Sequence, residues 1–309
     1  MGHAMRRLLV AILVARCAGA PACHPEGTEI GRHSNCPKDT WHDRVAPLLI
    51  GNSGPLVMLN IGANKGYNLA EWMQRYSSAD VTNRKWHQLM KKSASPPCAL
   101  QCCGVCLVCH RKRISQVADA AGRLQLHAFE LQPSNEQMLR QLVALTGAPV
   151  EVHGEAVSNV TGVVYTRDSG SPGYESVAAM RAPAPRTLVR NVTTVDAFIA
   201  ARRIERVALA SIDTEGWDGY VMRGMTGALR RKAVDVVEFE YMRAWKRHFG
   251  ETALADTLAW LDSFGYTCFW QGNSGALAQA SSGCWIDAFQ QRISHRWAVS
   301  CSGLGSGLC

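Results

Sequence analysis

Acidic residues are in short supply: 25 Asp and Glu stand against 33 Lys and Arg, a formal charge of +8 over 309 residues. The excess is scattered, and its densest run, His110-Arg111-Lys112-Arg113, has the length of an ordinary solvated face. No aromatic stripe is interleaved with it and no nucleic-acid motif accompanies it, so nucleic acid is excluded as the expected partner. Long apolar runs are missing too. The apolar run near the N-terminus, residues 8–15, is about half of what a membrane span needs. No stable membrane span is expected. There is no internal repeat, which removes solenoids and propellers.

Cysteine, by contrast, is abundant, with 12 residues. Arg6 and Arg7 precede that apolar run, and the small residues Ala18, Gly19 and Ala20 follow it, the order of a secretory signal peptide over residues 1–22. Asn159-Val160-Thr161 and Asn191-Val192-Thr193 match the glycosylation acceptor pattern. These features together predict a disulfide-bonded glycoprotein of the endoplasmic reticulum or Golgi lumen, or a secreted one.

Apolar runs at 57–61, 124–130, 150–156, 207–213 and 234–240 read as strands. Helical patterns lie at 68–75, 135–145, 195–202 and 217–231. This alternation predicts an α/β domain built on a mostly parallel sheet with helices on both faces. A hairpin is expected from 160–165 with the loop 168–176, a helix over 252–264 stopped by Gly265, and antiparallel strands at 266–270 and 276–280. The domain is placed at 56–300, after a lead-in at 23–55 and before a flexible tail at 301–309. Residues 77–122 break the alternation and read as a Cys-rich insertion.

The first strand ends in "LVMLNIGANKGY", where Gly62 and Gly66 frame Ala63, Asn64 and Lys65. In an open parallel sheet ligands sit beyond the carboxyl ends of the strands, and a loop with free helix-start amides suits a ligand carrying a carboxylate or phosphate. The third glycine of a dinucleotide fingerprint is absent, and no GK[ST] follows. Glu130 at the tip of the second strand can accept both hydroxyls of a ribose. Ala156 and Val157 close the third strand with small surfaces for a purine. Asp213 and Glu215 end the fourth, with Gly216 turning the chain.

"LNIGANKG", "AFELQPSN", "EAVSNVTGVVYT", "TTVDAFI", "SIDTEGWDGYVMRGM" and "VVEFEY" resemble the FkbM-type S-adenosylmethionine-dependent methyltransferases, from Leu56 to Tyr241 with the insertion excluded. The resemblance implies a class I methyltransferase-like, Rossmann-like fold and S-adenosyl-L-methionine as cofactor. It implies that Asn60, Gly62, Ala63, Asn64 and Gly66 surround the methionine and ribose, that Glu130 binds the ribose hydroxyls, and that Ala156 lies near adenine. The family's usual Asp is Asn60 here. Asp213 would sit at the transfer site. The family's O-methylation of sugar or natural-product hydroxyls points to a small-molecule or glycan acceptor.

An alcohol loses a proton on methylation, so a base is expected. Asp213 is the first candidate, with Glu240, Glu215 and Glu238 behind it. One of Glu238 and Glu240 is equally explained by pairing with Arg243 or Lys246, and His153 reads as a packed histidine. The loop 169–176 closes over the acceptor or is an ordinary surface loop. Cys103, Cys106, Cys109 and His110 have zinc-ligand spacing, but an oxidising lumen favours disulfides there, and no metal ligands are assigned. A Cys268–Cys284 bridge is expected. Two other classes compete: a catalytically silent glycan-binding protein on the same fold, and a nicotinamide-dependent oxidoreductase.

Overall fold

The computed structural model describes residue 23 and residues 41–51, 53–93, 122–167, 179–180, 183, 187–242, 244–251, 253–271, 277–287 and 297–302. The leader, the cysteines from 98 to 109, the loop 168–176 and the last seven residues lie outside them. Strands β1 (Leu56–Ile61), β2 (Leu124–Phe129), β3 (Val150–His153), β8 (Val207–Ile212), β9 (Val234–Tyr241), β10 (Thr267–Gln271), β11 (Leu277–Gln279) and β12 (Trp297–Ser302) form one sheet, ordered β11-β10-β12-β9-β8-β1-β2-β3. From β3 across to β9 every pairing is parallel. β12 is antiparallel to both β9 and β10, so β10 runs with the parallel set. The strand order reverses at β1, with β2 and β3 on one side and β8 and β9 on the other. That is the expected mostly parallel, methyltransferase-like sheet.

The apolar alternation of β1 splits the core in two. Val57, Leu59 and Ile61 pack with Phe198, Met222, Leu229 and Leu258 on one face, and Leu56 and Met58 with Trp41, Trp72, Trp86 and Leu139 on the other. β1 is buried at all six positions, as a strand covered on both faces must be. Each such side chain contributes on the order of 2 kcal/mol.

The first face carries helices α5 (Val195–Arg202), α6 (Asp218–Arg223), α7 (Thr226–Arg230), α8 (Ala244–Phe249) and α9 (Ala253–Ser263); the second carries α1 (Trp41–Ile50), α2 (Tyr67–Tyr76), α3 (Asn83–Ser93) and α4 (Pro133–Thr146). The "TTVDAFI" segment starts two of them. Thr194 accepts from the Ala197 N–H at 3.0 Å and caps α5, while Asp196 accepts from the Gly227 and Ala228 N–H groups, both at 2.7 Å, at the start of α7.

Several expectations change. The single helix at 217–231 is two, broken at Gly224, where a Cβ would lie 2.0 Å from the Ser158 carbonyl oxygen. Within the expected lead-in, α1 packs on the sheet's helices: it buries Trp41, Val45 and Leu49, and its Asp43 pairs with buried Arg75 of α2. The insertion begins with a packed helix, α3, whose Trp86 is fully buried. The strand expected at 150–156 ends at His153, and the Glu136 carboxylate lies against Gly154 where a Cβ would be. The chain then enters a second sheet of β4 (Ala156–Val157), β5 (Gly162–Thr166), β6 (Ala179–Met180) and β7 (Leu188–Thr193), ordered β4-β7-β5-β6.

The expected Cys268–Cys284 bridge does not form. Cys284 is bonded to Cys23, with Cα atoms 5.1 Å apart. Cys268 is disulfide-bonded as well, and its register partner on β12 is Cys301. The local expectation compared only the two late strands, and a partner 261 residues away could not be read from them.

Candidate functional site

The loops after β1 and β8 meet where the strand order reverses, the position at which open α/β sheets bind ligands. The Gly62 and Ala63 N–H groups both donate to the Phe129 carbonyl at 3.0 Å, and the Asp213 N–H donates to the Ile61 carbonyl at 2.8 Å. These bonds bring Asn60, Gly62, Ala63, Asn64, Glu130 and Asp213 to one end of the sheet.

Gly62 and Gly66 are required by the fold itself. Both have positive φ, +87° and +74°, and their missing Cβ atoms face protein. At Gly62 a Cβ would lie 1.8 Å from the Asp213 carbonyl oxygen; at Gly66 it would lie 2.7 Å from Leu139 and 2.8 Å from Trp86. The loop is small because two strand ends and a helix pack through it. Trp86 also donates its indole N–H to the Lys65 carbonyl at 2.8 Å, so α3 fixes the loop from behind.

Glu130 is 5% exposed and is held at both oxygens. Its Oε2 accepts from the Asn64 N–H and its Oε1 from the Gln132 N–H, each at 2.7 Å. Burial raises its pKa to about 7, against the lowering effect of these bonds. A side-chain hydrogen bond from Asn135 adds a third donor, and a carboxylate, with about four lone-pair sites, has room for one more. Asn64, at φ +44°, places Oδ1 in a buried position without a hydrogen-bond partner among the described residues. Two carboxylate oxygens and an unsatisfied amide oxygen fit a ligand rich in hydroxyl and ammonium donors, which S-adenosylmethionine is.

On the other side of the cleft Asp213 is exposed, and Glu215 adopts φ +56° in the turn that follows. The sequence reading missed Asp218, which organises this turn. Fully buried, it accepts from Thr214 Oγ1 and the Gly216 N–H, both at 3.2 Å, and from the Glu240 N–H at 3.4 Å. Burial, with the Asp213 charge adding to it, raises its pKa to about 8. Its signal was present in the sequence, an Asp at the start of a helix, but Asp213 and Glu215 already supplied carboxylates there.

Glu238 is committed elsewhere: Ser211 Oγ donates to it at 3.2 Å and Gln271 Nε2 at 2.9 Å. Lys246 pairs with Glu251 at 2.6 Å, not with Glu238 or Glu240, and Arg243 lies outside the described residues. Glu240 is 8% exposed. Ala156 departs most from its expected place, since it sits on β4 opposite Val192 in the second sheet, not at the β3 tip. His153 is packed, as expected, between Phe129 and Phe198. No helix among the described residues is long and apolar enough to cross a membrane.

No curated protein matches the sequence. Among solved structures, the chain is similar to the methyltransferase FkbM from Methylobacillus flagellatus KT, at 13% identity and a TM-score of 0.42, covering 80% of this chain and 43% of that one. It is also similar to the METTL16 methyltransferase domain (9% identity, TM-score 0.38, 85% of this chain and 66% of that one). A third is the precorrin-6y C5,15-methyltransferase from Geobacter metallireducens GS-15 (9% identity, TM-score 0.30, 84% and 86%). The chain thus spans less than half the length of the first of these. Residues 106–268 match the methyltransferase FkbM domain, a span that holds Glu130, Ala156, Asp213, Glu215 and Glu240 and begins after the glycine loop. That match covers more than half of the sequence, and the chain belongs to the FkbM methyltransferase family.

Proposed function

We propose that the protein is an S-adenosylmethionine-dependent O-methyltransferase acting on a hydroxyl of a glycan or glycan-like small molecule in the secretory pathway. The observation that carries the cofactor reading is Glu130, buried at the switch in strand order with both oxygens fixed by backbone N–H groups of the two flanking loops. When bound, the cofactor supplies an electrophilic methyl group on a sulfonium. Glu130 accepts the ribose hydroxyls, and Asn64 Oδ1 accepts from the amino group of the methionine part. Asp213, the exposed carboxylate at the β8 end, takes the proton that the acceptor hydroxyl loses. Asp218 holds the turn that presents it. The lumenal reading is supported by the Cys23–Cys284 disulfide, since such bonds persist in oxidising compartments, and by the exposure of both Asn159 and Asn191.

The test is calorimetric titration of disulfide-complete protein with S-adenosylmethionine and S-adenosylhomocysteine, then transfer assays on a glycan panel. Micromolar binding that is lost in Glu130→Ala, with transfer lost but binding retained in Asp213→Asn, is the expected result. Absence of binding by folded wild type would leave the silent glycan-binding protein as the better reading.

A further inference from the structure

We propose that His127, Glu151 and His153 form a binding site for a divalent transition-metal cation, Zn2+ fitting best, at the β2–β3 edge of the main sheet. The parallel register pairs His127 with Glu151 and Phe129 with His153. Side chains alternate along a strand, so these four residues share one face. His127 Nδ1 lies 3.2 Å from His153 Nε2 and 3.6 Å from Glu151 Oε2. One ligand atom from each residue falls within 4.8 Å of the others. Two nitrogens bound to a tetrahedral zinc at ordinary bond lengths stand about 3.3 Å apart, close to the spacing already present. Two imidazoles and one carboxylate are a zinc donor set that leaves a fourth position for water or an added ligand.

The rings are held from behind. Phe129 stacks on His153 with centroids 4.7 Å apart, and Phe198 meets His127 and His153 edge-on at 5.1 and 5.2 Å. Both imidazoles are buried, whereas Glu151 is exposed, so a cation has a route in from solvent on the carboxylate side. Arg202 pairs with both Glu151 oxygens and competes with a cation for them. Its own side chain is solvent-exposed, which lets it swing away. The site lies outside the methyl-transfer cleft but adjoins it: Glu130 follows β2 directly, and its N–H donates to the His153 carbonyl at 3.0 Å. A bound cation would fasten the edge strand beside the carboxylate assigned to the cofactor.

The test is Zn2+ titration of the full, disulfide-complete chain by calorimetry, with Co2+ absorption to separate nitrogen and oxygen ligation from thiolate ligation by any free cysteine. Three variants run beside wild type. His127→Phe/His153→Phe keeps aromatic packing and removes two ligands; Glu151→Gln alters an exposed position that folding does not need; Arg202→Gln removes the competing cation. Wild type is expected to take up one equivalent more than the double variant, with a Co2+ spectrum free of thiolate charge transfer. Glu151→Gln is expected to bind at least about tenfold more weakly, and Arg202→Gln more tightly. Equal uptake and affinity in wild type and in folded double variant would overturn the proposal. So would unchanged affinity in Glu151→Gln.

Discussion

The Asn64 N–H donates to Glu130 Oε2 at 2.7 Å, so the turn after β1 and the tip of β2 are fastened by the carboxylate to which we assign the cofactor's ribose. The pair is partly buried and spans 66 residues of sequence. Any change in the charge of Glu130 is therefore felt by the loop geometry as well as by a ligand.

A pH dependence follows. Burial raises the Glu130 pKa from 4.5 to about 7, so the folded state binds its proton more tightly than the unfolded state. The associated stability is fully present below the unfolded value and is lost as pH rises through the folded one. Chemical denaturation of ligand-free protein is expected to show stability falling between about pH 4.5 and pH 7, by at most about 3 kcal/mol from this group. Glu130→Gln should flatten that window. Cofactor affinity is expected to move the opposite way, rising with pH as the carboxylate forms.

The glycines of the loop are not equivalent. A Cβ at Gly62 would overlap the Asp213 backbone, which cannot turn aside, whereas at Gly66 it would press on Leu139 and Trp86 side chains. Both substitutions carry the left-handed backbone penalty of about 1–2 kcal/mol. Gly62→Ala is expected to lower Tm more than Gly66→Ala and to abolish cofactor binding, because it separates the β1 and β8 loops. A larger Tm loss in Gly66→Ala would contradict this account of the turn.

Asp218 gives the third test. Both of its oxygens accept from backbone N–H groups, Oδ2 from Gly216 and Oδ1 from Glu240, so an amide, whose nitrogen cannot accept, keeps only one of the two contacts. Asp218→Asn is expected to lose part of the stability that these contacts supply at pH 7. Asp218→Ala leaves the Gly216 and Glu240 N–H groups without their buried acceptor, at a cost of about 1–3 kcal/mol. Urea denaturation of the two variants at one pH compares them, and an unchanged stability in both would overturn the role given to Asp218 as the acceptor that holds the turn.

Much of the sheet was legible because its strands are short, apolar and bounded by Gly or acidic residues. β1, β8 and β9 fall within a residue of their expected ends, since burial on both faces leaves an uninterrupted apolar run. Gly62, Glu130 and Asp213 were legible for a related reason: they stand at strand tips. What escaped is what depends on a partner. α1 looked like a polar lead-in, yet Trp41, Val45 and Leu49 line one side of it and meet α2 only after folding. β12 is a strand because β9 and β10 flank it, and Trp297 to Ser302 carry no pattern that says so. Ala156 lies in the second sheet because its strand pairs with β7, a partner that the local pattern does not announce.

By itself, then, the sequence determined the α/β alternation, the family and the strand-tip residues, all of which are local patterns written along the chain. Only the tertiary structure decided why Gly62 must be glycine, that Asp218 holds the β8 turn, that Cys23 bonds Cys284, and that His127, Glu151 and His153 converge. Each of those is a contact between segments brought together by parallel pairing and by burial on both faces of the sheet, and such contacts leave no periodicity in either segment alone.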